Sequence, residues 1–224
     1  MRRLKQVSAG MGLYLMMSIA WHAWCPENTT PGFGLLAAGD VVENRRLGER
    51  VVYQRLPTTP QGTASIEVTL RPNAAVPVAH IHPSMTEVFH VVHGQLELWI
   101  QGEQHALRPG QSFVVAPGMP HAFRNASNGT TRFEVTLEPA GHMPLAIREL
   151  HRYLSQPPSH PVAHFLQMIR FAEAFDVYMA GVPVWIQRLG VFCVAPTARL
   201  LGFRPSIVHS RPNLQAPPNE SIRD

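Results

Sequence analysis

From Gly62 to Pro139, short runs of β-branched and aromatic residues are cut at close intervals by glycine or proline. That punctuation constrains the fold more than any other feature of the chain. In "ASIEVTL", Ile66, Val68 and Leu70 alternate with Ser65, Glu67 and Thr69, the two-residue period of a strand with one buried face. Further strands are expected over Glu87–His93, Gln95–Gln101, Gln104–Leu107, Ser112–Val115, His121–Arg124 and Thr131–Glu138. Gly94, Gly102, Pro109-Gly110, Pro117-Gly118 and Asn128-Gly129 separate them. Upstream, "VVENRRLGERVVYQRL" reads as a hairpin turning at Asn44–Gly48. Many short strands at close spacing argue for a sandwich or barrel.

After Pro139 the period changes. Met143, Ala146, Ile147, Leu150 and Leu154 recur at helical spacing, and "QPPSHP" ends that helix. A second helix is expected from Val162 to about Met179, and a third stretch over Gly181–Phe203, bent or broken near Pro196. The chain therefore divides into four parts: 1–38, a leader or signal-like apolar segment; 40–140, a β-barrel; 141–204, a helical extension; and 205–224, a flexible tail. With 224 residues and 45% hydrophobic content, one domain with a real core is expected, plus extensions.

Charge excludes one class of partner. Residues 41–140 hold eight Arg and eight Asp plus Glu, so the barrel is neutral and carries no footprint for nucleic acid. The two cysteines, Cys25 and Cys193, lie far apart and form no C-x-x-C pair; two unpaired thiols are expected, Cys193 buried. "MRRLKQ" followed by an apolar stretch from Met11 to Trp24 has the order of an export signal, and a non-native or disordered extension is the competing reading. At fourteen residues that stretch is short for a membrane-spanning helix.

The chemistry gathers in "AHIHPSMTEVFHVVHG", Ala79–Gly94. His80 and His82 are two apart on an extended chain and project to one face. Pro83–Thr86 reads as a turn, after which Glu87 can return its carboxylate toward both imidazoles. His121 follows a turn in "APGMPHAFRN" and can supply a fourth ligand. Imidazole plus carboxylate suits Fe, Mn, Ni, Cu or Zn. Parity places His93 and Phe89 on the face of Glu87, His90 on the other, and Phe123 on the face of His121. His93, next to Gly94, is expected at the rim. His105, His142, His151, His160, His164 and His209 are expected at the surface, as are Arg124 and Arg132.

These residues resemble the cupins, small jelly-roll barrels whose first motif has the form G-x5-H-x-H-x4-E-x6-G. Ala74, His80, His82, Glu87 and Gly94 stand at its positions, with alanine for the first glycine. The second motif, G-x5-P-x-G-x2-H-x3-N, is matched by Gly110, Gly118, His121 and Asn125, with Ala116 where proline is usual and Pro117 after it. The resemblance covers roughly residues 60–140. More loosely, "VVENRRLGER" and "APTARLLGFR" resemble stretches that flank the barrel in a group of bacterial single-domain cupins.

The resemblance implies a mainly β fold, a cupin-type jelly-roll barrel with two to three C-terminal α-helices. It implies one divalent transition metal ion (Fe, Mn, Zn or Ni) on His80, His82, Glu87 and His121. Two coordination positions would remain for water, dioxygen or a chelating substrate. Phe89, Phe123 and Met85 are candidates to line the approach to the ion, with core packing the alternative. The expected function is a metal-dependent enzyme of dioxygenase or isomerase type acting on a small oxygen-bearing molecule, aromatic or enolic. The alternative is a non-catalytic, metal-dependent binding protein. The expected partners are a small molecule and a second copy in a homodimer, with no nucleic acid. A cytoplasmic location is expected, with export or peripheral membrane contact left open by the two apolar ends. The third helical stretch is expected to pack on the barrel or a partner subunit rather than in a membrane interface.

Overall fold

The computed structural model describes residues 2–25, 35–75 and 78–205. An N-terminal helix, α1 (Arg2–Trp24), precedes ten strands: β1 (Val41–Asn44), β2 (Glu49–Arg55), β3 (Ala64–Leu70), β4 (His80–Ile81), β5 (Thr86–His93), β6 (Leu96–Ile100), β7 (Glu103–Leu107), β8 (Ser112–Val115), β9 (His121–Arg124) and β10 (Thr131–Glu138). Then come α2 (Met143–Ser155), α3 (Pro161–Phe175), β11 (Tyr178–Met179) and α4 (Val184–Leu200). The strands form two antiparallel sheets, in the orders β1-β2-β3-β10-β5-β8 and β11-β4-β9-β6-β7. Their inner faces close on a core that includes Val51, Ile66, Leu70, Phe89, Leu98 and Phe133. This is the mainly β architecture that the punctuation predicts, in the jelly-roll form that the resemblance implies.

The motif turns show why particular residues occupy them. Gly94 has φ +78, and a Cβ there would stand 2.6 Å from the Thr130 carbonyl oxygen, so both conformation and space demand glycine. Ala74 in place of glycine is harmless, because the positive φ of this turn falls on Asn73, at 60°. Ala116 is equally harmless. Pro117 and Gly118 (φ +80) occupy the second and third positions of the turn closed by Met119 N–H on the Ala116 carbonyl. That is the Pro-Gly order a type II turn calls for. Gly118 N–H also donates to the His82 carbonyl at 2.8 Å, tying the turn to the histidine strand. Asn125, fully buried, donates to the carbonyls of Leu70, Arg71 and Gly129 and accepts from Ser127. It fastens the end of β3 to the β9–β10 connection.

Several expectations need correction. The second C-terminal helix stops at Phe175 instead of running to Met179, because Asp176 takes a left-handed conformation (φ 52) that ends it. The chain then adds β11 to the second sheet, with Met179 opposite His80 and Tyr178 opposite Ile81. α4 runs unbroken through Pro196. Proline lacks the N–H that would bond to the Phe192 carbonyl. Ser18 Oγ donates to that oxygen at 2.9 Å, and His22 Nε2 reaches it at 3.0 Å. The apolar N-terminal segment is thus a helix docked on α4. Cys193 is half-buried rather than buried, and Cys25 is exposed. His151 is buried rather than at the surface; its Nε2 lies 3.2 Å from Glu49 Oε2 and its carbonyl accepts from Asn44, clamping α2 to β1 and β2. The proposed tail after Pro205, with His209, lies outside the described residues.

Candidate metal centre

β4 is only two residues long, yet it delivers two ligand candidates. His80 lies directly opposite His121 of β9, and His82 follows on the same face one residue past the strand's end. Glu87 comes from the start of β5 in the other sheet, paired with Leu137 and Val115. The closure of the barrel therefore brings together residues from three strands. The ligand atoms of His80, His82, Glu87 and His121 all lie within 4.8 Å of one another. His82, Glu87 and His121 are buried and His80 is half-buried, so the cluster has one open side.

The ring nitrogens are oriented from behind. His121 Nδ1 is 3.0 Å from the Met119 carbonyl and His80 Nδ1 is 3.2 Å from that of Val78. A carbonyl can only accept, so these bonds place a proton on each Nδ1 and leave Nε2 for the cluster. His121 Nε2 then stands 2.7 Å from Glu87 Oε2, and His82 Nε2 is 3.7 Å from Glu87 Oε1. The 2.7 Å contact is too poorly aligned for a hydrogen bond, and neither of its two buried atoms has another partner. A nitrogen lone pair and a carboxylate oxygen at that separation repel unless a cation, a proton or a metal ion, lies between or beside them.

The electrostatics have the same cause. Burial, then the neighbouring His82 and His121, hold His80 neutral down to about 3. Burial likewise lowers His82, although Glu87 opposes it. Burial pushes the Glu87 carboxyl up, but His82, His121 and His80 together overcome that and hold it ionised down to about 2. For His121, burial is outweighed by the adjoining Glu87 carboxylate, and its pKa is raised. Two neutral imidazoles, a third shared with a carboxylate, and a fixed negative charge form a donor set that fits a divalent ion.

The structure distributes the remaining candidates. Phe89 is buried with its ring 6.3 Å from His121, 5.8 Å from Phe123 and 6.0 Å from Phe133. Phe123 is half-buried and packs against the core. Met85 lies in the hydrophobic core. Met179 is the exposed methionine on the His80 face, directly opposite it in the ladder. The sequence reading missed it because a two-residue strand leaves no periodic signal. His93 is exposed, in keeping with the rim position expected beside Gly94, and a register shift between Arg132 and Phe133 falls at this end of the β5–β10 ladder. His90 Nδ1 meets Ser112 Oγ at 2.9 Å, away from the cluster. Arg124 is exposed, paired with Glu97 and lying over Trp99.

Comparison with known proteins agrees with this architecture. Residues 66–138 match the cupin domain family. Protein SchB of Streptomyces halstedii is 30% identical over 112 residues, 49% of this chain and 80% of SchB. Polyketide synthase CurC of Streptomyces cyaneus is 29% identical over 107 residues, 47% of this chain and 69% of CurC. Among solved structures, an RmlC-like cupin from Shewanella frigidimarina NCIMB 400 is 19% identical, with a TM-score of 0.38 over 46% of this chain and 85% of that one. The two motif strings, the paired antiparallel sheets and the 30% identity across most of SchB make this chain a member of the cupin superfamily.

Proposed function

We propose that the chain is a metal-dependent enzyme in which His80, His82, Glu87 and His121 hold one divalent transition ion. Its substrate is a small oxygen-bearing molecule of enolic or aromatic type. The observation that carries the reading is the 2.7 Å approach of His121 Nε2 to Glu87 Oε2, both buried and without an aligned partner. When bound, such an ion polarises a coordinated oxygen and, if redox-active, supports oxygen chemistry.

The chain's own residues do the rest. Val78 and Met119 hold the Nδ1 protons of His80 and His121 and keep those rings from turning. Glu87 stays ionised and contributes one negative charge. Phe89 and Phe123 exclude water from the inner side, and Met179 is a surface that a ligand would meet at the open side. Among the described residues no acid–base pair separate from the ligands stands at the cluster, so activation of a chelating substrate would come from the bound ion. The relative named as a polyketide synthase supports the enolic class: β-diketones enolise and offer two oxygens to one ion.

The test is metal analysis of the purified protein beside a His80→Ala/His82→Ala variant. A roughly stoichiometric ion in the parent and background metal in the variant are expected; equal content in both would overturn the reading. Oxygen uptake and product analysis with catechols, flavonols and β-diketones then test turnover. Metal-dependent binding without turnover would instead mark a non-catalytic binding protein.

A further inference from the structure

We propose that the face built by α1 and α4 is a docking surface for an anionic lipid bilayer. The proposal is independent of the metal centre.

α1 is held on α4 by one polar stripe. Tyr14 Oη donates to the Cys193 carbonyl and meets Thr197, Ser18 donates to the Phe192 carbonyl, and His22 meets that same oxygen while stacking on the Phe192 ring at 4.6 Å. Every polar side chain in the described second half of α1 is used in this way. The rest of its circumference turns Met16, Met17, Ile19 and Trp24 outward, Trp24 being 86% exposed. On α4, positions 185, 189, 192, 193 and 196 follow one another at helical spacing. α1 covers the later members of that row and leaves Trp185, 68% exposed, and Leu189 open beside it. The two packed helices thus each carry exposed apolar residues, with an exposed tryptophan on each.

Charge selects the occupant. Residues 1–25 carry Arg2, Arg3 and Lys5 and no acid; residues 182–205 carry Arg188, Arg199 and Arg204 and no acid. Arg188 pairs with Asp176 and Arg199 with Glu173, both outside this face. The barrel, with eight Arg against eight acids, is balanced. Arg188 and Arg199 are neutralised by their partners, so the net basic excess of the two segments comes from Arg2, Arg3, Lys5 and Arg204. A second copy would bring more of the same sign, whereas anionic headgroups supply the opposite one. No described helix is long and apolar enough to cross a membrane, so the geometry is that of helices lying in the interface with tryptophan at headgroup depth.

The experiment is sedimentation of the full chain with phosphatidylcholine vesicles, alone or with about one-quarter phosphatidylglycerol, at about 0.1 M and about 1 M salt. Tryptophan emission is followed in parallel. Binding with a blue shift is expected only on the anionic vesicles and weakens at high salt. Trp185→Ser/Leu189→Ser, at exposed positions, lowers partitioning at least about tenfold while the melting temperature stays that of the parent. Arg2→Gln/Arg3→Gln/Lys5→Gln lowers it about fivefold per charge removed. A chain that stays in the supernatant with anionic vesicles overturns the proposal, as does a Trp185→Ser/Leu189→Ser variant that binds like the parent. Dimers that this variant dissociates, together with no vesicle binding, assign the face to a second copy and also overturn it.

Discussion

Among the described residues, Glu49 and Glu87 are each buried against histidine, in settings that behave differently. His151 and Glu49 approach to 3.2 Å where α2 meets the barrel edge. His121 and Glu87 approach to 2.7 Å inside the barrel. Both pairs are buried; the company they keep differs. Around Glu87 two more imidazoles converge, brought there by a strand ladder, and two of the three rings are turned by backbone carbonyls. Around Glu49 there is one imidazole, and Asn44 holds that residue's backbone rather than presenting another ligand. A buried His–Glu contact is therefore not a metal site in itself; convergence of several oriented lone pairs is what distinguishes one.

The contrast can be broken most directly at the first pair. His121→Ala should lower the metal content of the purified protein from about one ion per chain by elemental analysis, since a two-histidine, one-carboxylate remnant holds a divalent ion more weakly than the full set. His151→Ala should leave metal content untouched. It should cost about 3 kcal/mol of stability in denaturant titration, because Glu49 is left buried without its partner. If His151→Ala lost metal, or His121→Ala kept it in full, the distinction drawn here would collapse.

A third prediction concerns pH in metal-free protein. His80 stays neutral in the fold down to about 3, whereas the unfolded chain protonates it near 6.5. Below 6.5 the unfolded state therefore binds more protons, and His80 makes stability fall as pH falls from 6.5 toward 3. Glu87 acts in the same direction lower down: its contribution is complete above about 4.5 and is lost as pH falls toward 2. His121, raised by Glu87, acts in a separate window: its contribution is constant below 6.5 and is lost as pH rises through its folded value. Melting temperature against pH should thus be shallower for His80→Ala than for the parent between pH 6.5 and 3; parallel curves would contradict the assignment. The smallest effect is expected at Met179. Met179→Ser should leave metal content and melting unchanged and shift the apparent affinity for a chelating ligand by a few-fold, since one exposed apolar contact is removed.

The ligand set was legible in the sequence because its logic is local. His80-x-His82 needs only the two-residue period of an extended chain, Glu87 a turn, and His121 a Pro-Gly turn before a strand. The barrel strands were legible for the same reason. What the sequence hid is equally instructive. His151 was placed at the surface because its partner Glu49 is about a hundred residues away, across the helix–barrel seam. The helix around Pro196 was expected to break because its unpaired carbonyl finds donors only in α1.

Strand alternation, turn chemistry and the identities of four metal-ligand candidates follow from residues close together in the chain, where steric preference and side-chain period act without help. The edge strand at Tyr178–Met179, the methionine beside His80, the burial of His151 and the docking of α1 follow from contacts between distant segments. Only the closed fold decides those, because a backbone or side-chain group picks its long-range partner from whatever the packing brings within reach.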